Sequence, residues 1–252
     1  MSTDRAYDMS SRAEAAQATR RRIIDAAGPM LLREGYHAMS ISSLAAAAGV
    51  SAQTVYNAIG GKAAVVKAVY DVTLVGDDEP IPMPERPEFK AMSAAPDRDS
   101  FLRAYAALCA TIYERTGPLL GVILAQGAGN DAGLQDFVAT IEQERRTGNT
   151  NVLAALERVH GLPPQLDRTR FIDIVWAATA PETYDRFVRR CGWTHAMYAA
   201  WLAEALVGTF QSASATATAH DAPTVAPTVA TSVATAVPSA TTITTTTTTS
   251  KE

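Results

Sequence analysis

TRRRIIDAAGPMLLREGYHAMSISSLAAAAGVSAQTVYNAIGGKAAVVKAVYD, residues Thr19 to Asp71, decides how the rest of the chain is read. Ile23, Ala26, Ala27, Met30 and Leu31 recur at three- and four-residue spacings, the period of a helix with one buried face. With Ala15 and Ala18 they predict a helix from Ala13 to Glu34. Gly35 stands where a left-handed residue stops such a helix. Pro29 lies inside the pattern and predicts a bend, because proline removes one backbone bond. Ser40 can cap a second helix ending at Ala48, and Ser51 a third from Ala52 to about Ile59. Gly61 is an acceptable cap for a fourth helix from Lys62 to Val75. The intervening turn, Ala48-Gly49-Val50-Ser51, is tight: Gly49 supplies a positive φ, and Val50 can plug between the helices. Ser51 leaves the first amides of the third helix to meet phosphate. Two short helices joined in this way let the second lie in a DNA major groove.

These residues are similar to the TetR family of bacterial regulators. The resemblance is carried by Arg22-Ile23-Ile24-Asp25-Ala26-Ala27, Gly35-Tyr36, Leu44-Ala45, Ala48-Gly49-Val50-Ser51, Thr54-Val55-Tyr56 and Lys62, all in the family's spacing. It continues more weakly in Val175-Trp176-Ala177-Ala178-Thr179-Ala180-Pro181-Glu182-Thr183-Tyr184 and Gly192-Trp193, which look like one large branch of the family. The resemblance implies that Gln53, Thr54 and Asn57 face the groove and that Tyr56 and Lys62 meet phosphates. It also places Ser40 and Ser42 at the opening of the second helix, near the DNA backbone. Gln and Asn suit bidentate reading of adenine, while Lys and the Tyr hydroxyl suit phosphate anchoring. Ala58-Ile59 departs from the family's usual aromatic pair, Met39 from its usual hydroxyl residue, and Ala45–Ala48 lack its polar side chains. Base readout is therefore expected to be sparse. Much of the affinity is assigned to Arg20, Arg21 and Arg22 with an arm carrying Arg5 and Arg12.

Composition agrees with a basic end on an acidic body. The 252 residues carry a net charge of -4, yet residues 1–67 hold eight Lys/Arg against five acids, and the remainder 14 against 21. This asymmetry is expected where one part of a molecule meets phosphate. Two cysteines, Cys109 and Cys191, exclude a disulfide scaffold and leave no Cys-x-x-Cys metal or redox motif. The four histidines show no metal spacing, and neither Gly-x-Ser-x-Gly nor His-Glu-x-x-His occurs. Gly127 to Gly133 lacks the spacing of a phosphate loop and reads as a turn between helices. No catalytic residues, cofactor or metal are assigned. Neither a signal peptide nor a membrane span is predicted, so the expected location is cytoplasmic.

The fold class expected is all-α: an N-terminal helix-turn-helix domain joined to a C-terminal helical sensor and dimerisation bundle. Residues 1–12 read as a flexible arm, 13–76 as the DNA-binding domain and 77–99, with five prolines, as an irregular connection. Residues 100–211 form the body, with helices over about 100–115, 118–128, 132–160, 165–190 and 195–211; in the third, Glu142, Glu144, Arg145 and Arg146 read as an exposed, salt-bridged face. Residues 212–252 are Thr- and Ala-rich, with nothing to bury, and read as disordered.

Such bodies hold small ligands in mostly apolar cavities. The residues expected to line one are Tyr105, Leu108, Cys109, Ile112, Phe137, Phe171, Val175 and Trp176. A stripe of Tyr198, Trp201, Leu202, Ala205 and Leu206 on the last helix is expected to pair with a second copy. The partners implied are a palindromic double-stranded operator, a second copy of the chain and a small apolar effector, with no membrane. By the resemblance, the effector lowers DNA affinity by changing the distance between recognition helices. Two alternatives stand beside this reading: a constitutive DNA binder, and a helical enzyme or partner-binding protein on the same scaffold.

Overall fold

The computed structural model describes residues 3–77, 79, 81–126 and 131–218, with side chains described between 12 and 212. The described residues form helices and turns with no strand among them. The first helix, α1 (Thr3–Ala38), is followed by α2 (Ile41–Ala48), α3 (Ala52–Ala58) and α4 (Lys62–Val75). A 3-10 turn (Met83–Glu85) leads to α5 (Pro87–Ser93), and then come α6 (Arg98–Gln126) and α7 (Ala132–His160). The chain continues through α8 (Arg168–Ala178), α9 (Pro181–Tyr184), a π-helical turn (Asp185–Arg190) and α10 (His195–Thr218). No helix among the described residues is long and apolar enough to cross a membrane.

The N-terminal domain folds because the apolar period of α1 meets the short helices in one core. Ile23, Ala27 and Leu31 are buried with Met39, Leu44, Val55, Val65 and Val66. Met39 is fully enclosed, so the methionine found in place of a hydroxyl residue fills space in this core. Pro29 is accommodated on the outer face of α1, which continues past it. The helix bends sharply at Gly35, whose φ of 82° places it in the left-handed region. Helix is present from Thr3, where the sequence predicts an irregular arm; the side chain of Arg5 is outside the described set.

α6 is the axis of the body and packs against α1, α4, α5 and α10. It runs unbroken through Pro118, where two helices are expected. Leu119, Leu120 and Ile123 beyond the proline are buried, and this packing holds the helix on course while the ring lies outside. The proline-rich connection also differs from expectation. Pro87 starts α5 at the position where a missing N–H costs nothing, and Phe89 and Met92 enter the core. Pro181, where the sequence predicts a kink, starts a new turn, and the predicted helix 165–190 is divided into α8, α9 and the π-helical turn. The last helix continues past 211 to Thr218. The turn at 127–130 and the tail from 219 onward lie outside the described residues.

Candidate functional site

The helix-turn-helix is built by local capping. Ser40 and Ser43 form a reciprocal box: Ser43 N–H donates to Ser40 Oγ at 3.0 Å, and Ser40 N–H to Ser43 Oγ at 3.1 Å. Ser43, which sequence reasoning passed over, thus fixes the start of α2. Gly49 closes α2 at φ 66° and ψ 37°, a conformation that needs no Cβ. Val50 N–H donates back to Ala45 O at 2.9 Å, completing the turn. Ser51 then caps α3, accepting from Thr54 N–H at 3.0 Å, and its hydroxyl pairs with Thr54 Oγ1 at 2.8 Å.

α3 presents Gln53, Tyr56 and Asn57 to the outside. Gln53 Nε2 donates to Asn57 Oδ1 at 2.9 Å, so the two amides are aligned as neighbours on one helix face. That bond leaves the Gln53 carbonyl and its second N–H, with the Asn57 amino group, for other partners. Tyr56 is 53% exposed on the same outer side of α3. Thr54 is half-buried, turned toward Ser51. Ser40 and Ser42 are exposed, the former already engaged in its cap, and Arg20 is half-buried on α1.

Lys62 opens α4 at a cap without a side-chain bond. Its ammonium donates to His37 O at 3.2 Å and lies 4.3 Å from the centroid of the Tyr36 ring. Burial lowers its pKa below the ordinary lysine value, and nearby Asp131 partly offsets the shift. The Tyr36 hydroxyl donates to Asp131 Oδ1 at 3.2 Å, while burial and that carboxylate push its pKa up to about 12. Asp131 also caps α7 by accepting from Leu134 N–H at 2.9 Å. The start of α4, the end of α1 and the start of α7 thus meet around one tyrosine. At the far end of α4, Arg115 Nη1 on α6 donates to Val75 O at 2.7 Å. Beyond it Arg86, with its side chain 8% exposed, grips Asp77 through two bonds of 2.7 and 3.0 Å.

Between these two ends lies a cavity of about 340 Å³, bounded by α4, the 83–89 segment, α6 and α7. Of the residues expected to line a ligand cavity, Tyr105, Leu108, Cys109 and Ile112 are in its walls. Phe137, Phe171, Val175 and Trp176 are not. Phe137 packs edge-on against Tyr70, and Phe171 edge-on against Phe210. Val175 is core, and Trp176 lies beneath the Arg145 and Arg146 guanidinium groups. Burial pushes the Cys109 thiol up to about 12, so it is a packed neutral group. Sequence reasoning missed the cavity's polar wall. Arg145 is not on an exposed face: its side chain is 11% exposed and reaches inward to Glu142, Trp176 O and Thr179 O. Tyr105 donates to Asn149 Oδ1 at 2.5 Å, and Tyr113 donates to Thr179 O. Arg146, by contrast, is a surface partner of Asp173.

The expected pairing stripe is also corrected. Tyr198, Leu202 and Leu206 are fully buried within the single chain, because that face of α10 closes the core against α6. Ala205 faces outward, lining a groove of about 570 Å³ between α8 and α10 with Phe171, Ile174, Gly208 and Thr209. Trp201 is half-buried against Phe187 and Tyr198.

A capped helix-turn-helix with an exposed Gln–Asn–Tyr face, packed through α1 and α4 against an all-helical body, supports a DNA-binding transcriptional regulator of the helix-turn-helix class. Residues 23–69 match the model of the bacterial regulatory proteins of the tetR family, so the helix-turn-helix domain is similar to theirs. Among solved structures, a Clostridium perfringens protein assigned as a regulator of fatty acid metabolism has the same fold, at a TM-score of 0.50 and 12% identity. The match covers 74% of this chain and 97% of that one. No curated protein matches the chain by sequence.

Proposed function

We propose that this protein is a homodimeric repressor that holds a palindromic operator and is released from it by a small molecule bound in the α4–α6–α7 cavity. The observation that carries the reading is the position of α4. Tyr70, Asp71 and Leu74 of this helix are walls of the cavity, and Lys62 at its other end closes the DNA-binding domain. A ligand that presses on the middle of α4 therefore acts on a helix that packs against α1, and α1 in turn packs against α2 and α3. Its leverage is limited to its difference in affinity between the two arrangements.

The dimer is assigned to the α8–α10 groove. Ile174 is 36% exposed there, and Ala205 and Gly208 allow close approach of a second helix pair. Two-fold pairing sets the separation of the two α3 helices and so the spacing of half-sites. On α3, Gln53 and Asn57 are assigned to base edges and Tyr56 to phosphate. Lys62, Ser40, Ser42 and Arg20 supply further contacts to the DNA backbone.

The test joins both sites. Small molecules that raise the melting temperature of the purified protein are added to its complex with a selected operator. The reading expects the stabilising compounds to weaken operator binding at least about tenfold, a coupling of about 1.4 kcal/mol. Stabilising compounds that leave operator affinity unchanged contradict it.

A further inference from the structure

Granted that the α4–α6–α7 cavity is the effector site, its charge pattern discriminates among ligands. Its walls are largely aromatic and aliphatic, with Tyr70, Phe89, Tyr105, Tyr113, Leu74 and Ile112 as the main surfaces. An anionic ligand entering such a space needs a free cation or several free donors, since an unpaired buried charge is strongly disfavoured. Arg145 is the guanidinium in the lining. Its terminal amino groups are already committed: Nη1 lies 2.7 and 2.8 Å from the two Glu142 oxygens, and Nη2 donates to Trp176 O at 2.8 Å and Thr179 O at 2.7 Å. The Tyr105 and Tyr113 hydroxyls are likewise spent on Asn149 and Thr179.

The rim carries the opposite offer. Asp71 and Glu144 both line the cavity, and both lean on one ammonium, Lys67 Nζ, at 2.6 and 3.0 Å. Burial alone would lower the pKa of Lys67, but the two carboxylates together hold it above the ordinary value, so it stays charged. Two carboxylates share one cation, and the Arg145–Glu142 pair is neutral, so one negative charge is left over at the mouth. The carboxylates are half exposed, with side chains 50% and 51% accessible, and an arriving group can reach them. Tyr70, Tyr105 and Tyr113 line the same cavity, and aromatic rings attract cations through the ring quadrupole.

We propose that the cavity takes a cationic amphiphile: a protonated or quaternary amine on an aromatic or branched apolar body. The amine sits at the Asp71–Glu144 rim, and the body lies against Tyr70, Tyr105 and Tyr113.

The test is calorimetric titration of the full-length protein with three probes that differ only in their head group: 4-phenylbutylamine, 4-phenylbutanol and 4-phenylbutyrate. The amine is expected to bind about tenfold tighter than the alcohol at low salt, with the carboxylate weakest. The double variant Asp71→Asn with Glu144→Gln leaves Lys67 uncompensated. It is expected to reverse the order of amine and carboxylate while leaving the alcohol unchanged. Leu108→Trp, which fills the cavity from α6, is expected to abolish binding of all three. If the carboxylate or the alcohol binds wild type as tightly as the amine, or the double variant keeps the preference, the charge assignment is overturned and the effector site stands. If Leu108→Trp leaves amine binding intact, the amine binds elsewhere and the proposal fails. If none of the three binds, the effector reading falls with it.

Discussion

The backbone N–H of Tyr36 donates to Gln126 Oε1 at 2.7 Å across 90 residues of sequence, and this bond joins the DNA-binding domain to the body. Gly35 makes it geometrically available. Its left-handed φ turns the next amide away from α1, and a Cβ there would overlap the Gln126 amide. Gln126→Ala leaves that amide unpaired and is expected to lower stability by about 1–2 kcal/mol. It is also expected to reduce the effect of a bound ligand on operator affinity, since one link between the two parts is gone. Denaturant unfolding and operator titration with and without ligand measure the two effects separately.

On α3, Gln53 and Asn57 hold each other, so either substitution disturbs both. Gln53→Ala is expected to relax base preference by about 1–3 kcal/mol at one position of each half-site. Lys62→Ala is expected to weaken binding to all sequences alike and to flatten the salt dependence by about one unit. Because Lys62 also bonds His37 O and covers the Tyr36 ring, the lysine variant, unlike the glutamine one, should melt earlier as well. Binding to a panel of operator variants at several salt concentrations distinguishes them.

Charge placed on α10 separates core from interface. Leu206 is fully enclosed in one chain, so Leu206→Asp is expected to unfold the body, at a cost of roughly 3–5 kcal/mol for an uncompensated buried charge. Ile174→Asp on the groove between α8 and α10 should keep its helical circular dichroism and sediment as a monomer. A dimeric Ile174→Asp variant would move the interface elsewhere.

The joint after α4 predicts an acid sensitivity. Hydrogen bonds from Arg86 and from the Glu79 amide hold the Asp77 pKa at about 2, below its ordinary 3.8. A carboxylate depressed in the folded state contributes stability above its unfolded pKa and loses it as pH falls toward the folded one. Wild type should therefore lose stability between about pH 4 and 2 more steeply than Asp77→Asn, which lacks that proton. Urea midpoints across this range give the comparison.

The helix-turn-helix is legible in the sequence because its determinants are local. Ser40, Gly49 and Ser51 act within a few residues of themselves, and their spacing alone places the turn. Features that depend on distant packing are not legible in this way. Glu142 and Arg145, three residues apart, look like an exposed helical pair; the carbonyls of Trp176 and Thr179, which draw Arg145 inward, are 31 and 34 residues away. Periodicity finds the apolar stripe Tyr198, Leu202 and Leu206, yet it carries no information on whether α6 or a second chain covers it. Local rules treat Pro118 and Pro87 as breaks. In the first case packing overrides the rule, and in the second the proline sits at a helix start where it is well tolerated.

The proposed repressor function requires two copies of α3, held by a two-fold dimer, to read a palindrome. Unbiased selection from random duplex DNA with the purified protein, followed by footprinting of the enriched sequence, tests it most directly. Inverted half-sites whose centres lie about one helical turn or a multiple apart are expected, with enrichment lost in Gln53→Ala and in Ile174→Asp. Enrichment of a single asymmetric half-site by wild type, or no enrichment at low salt, would contradict it.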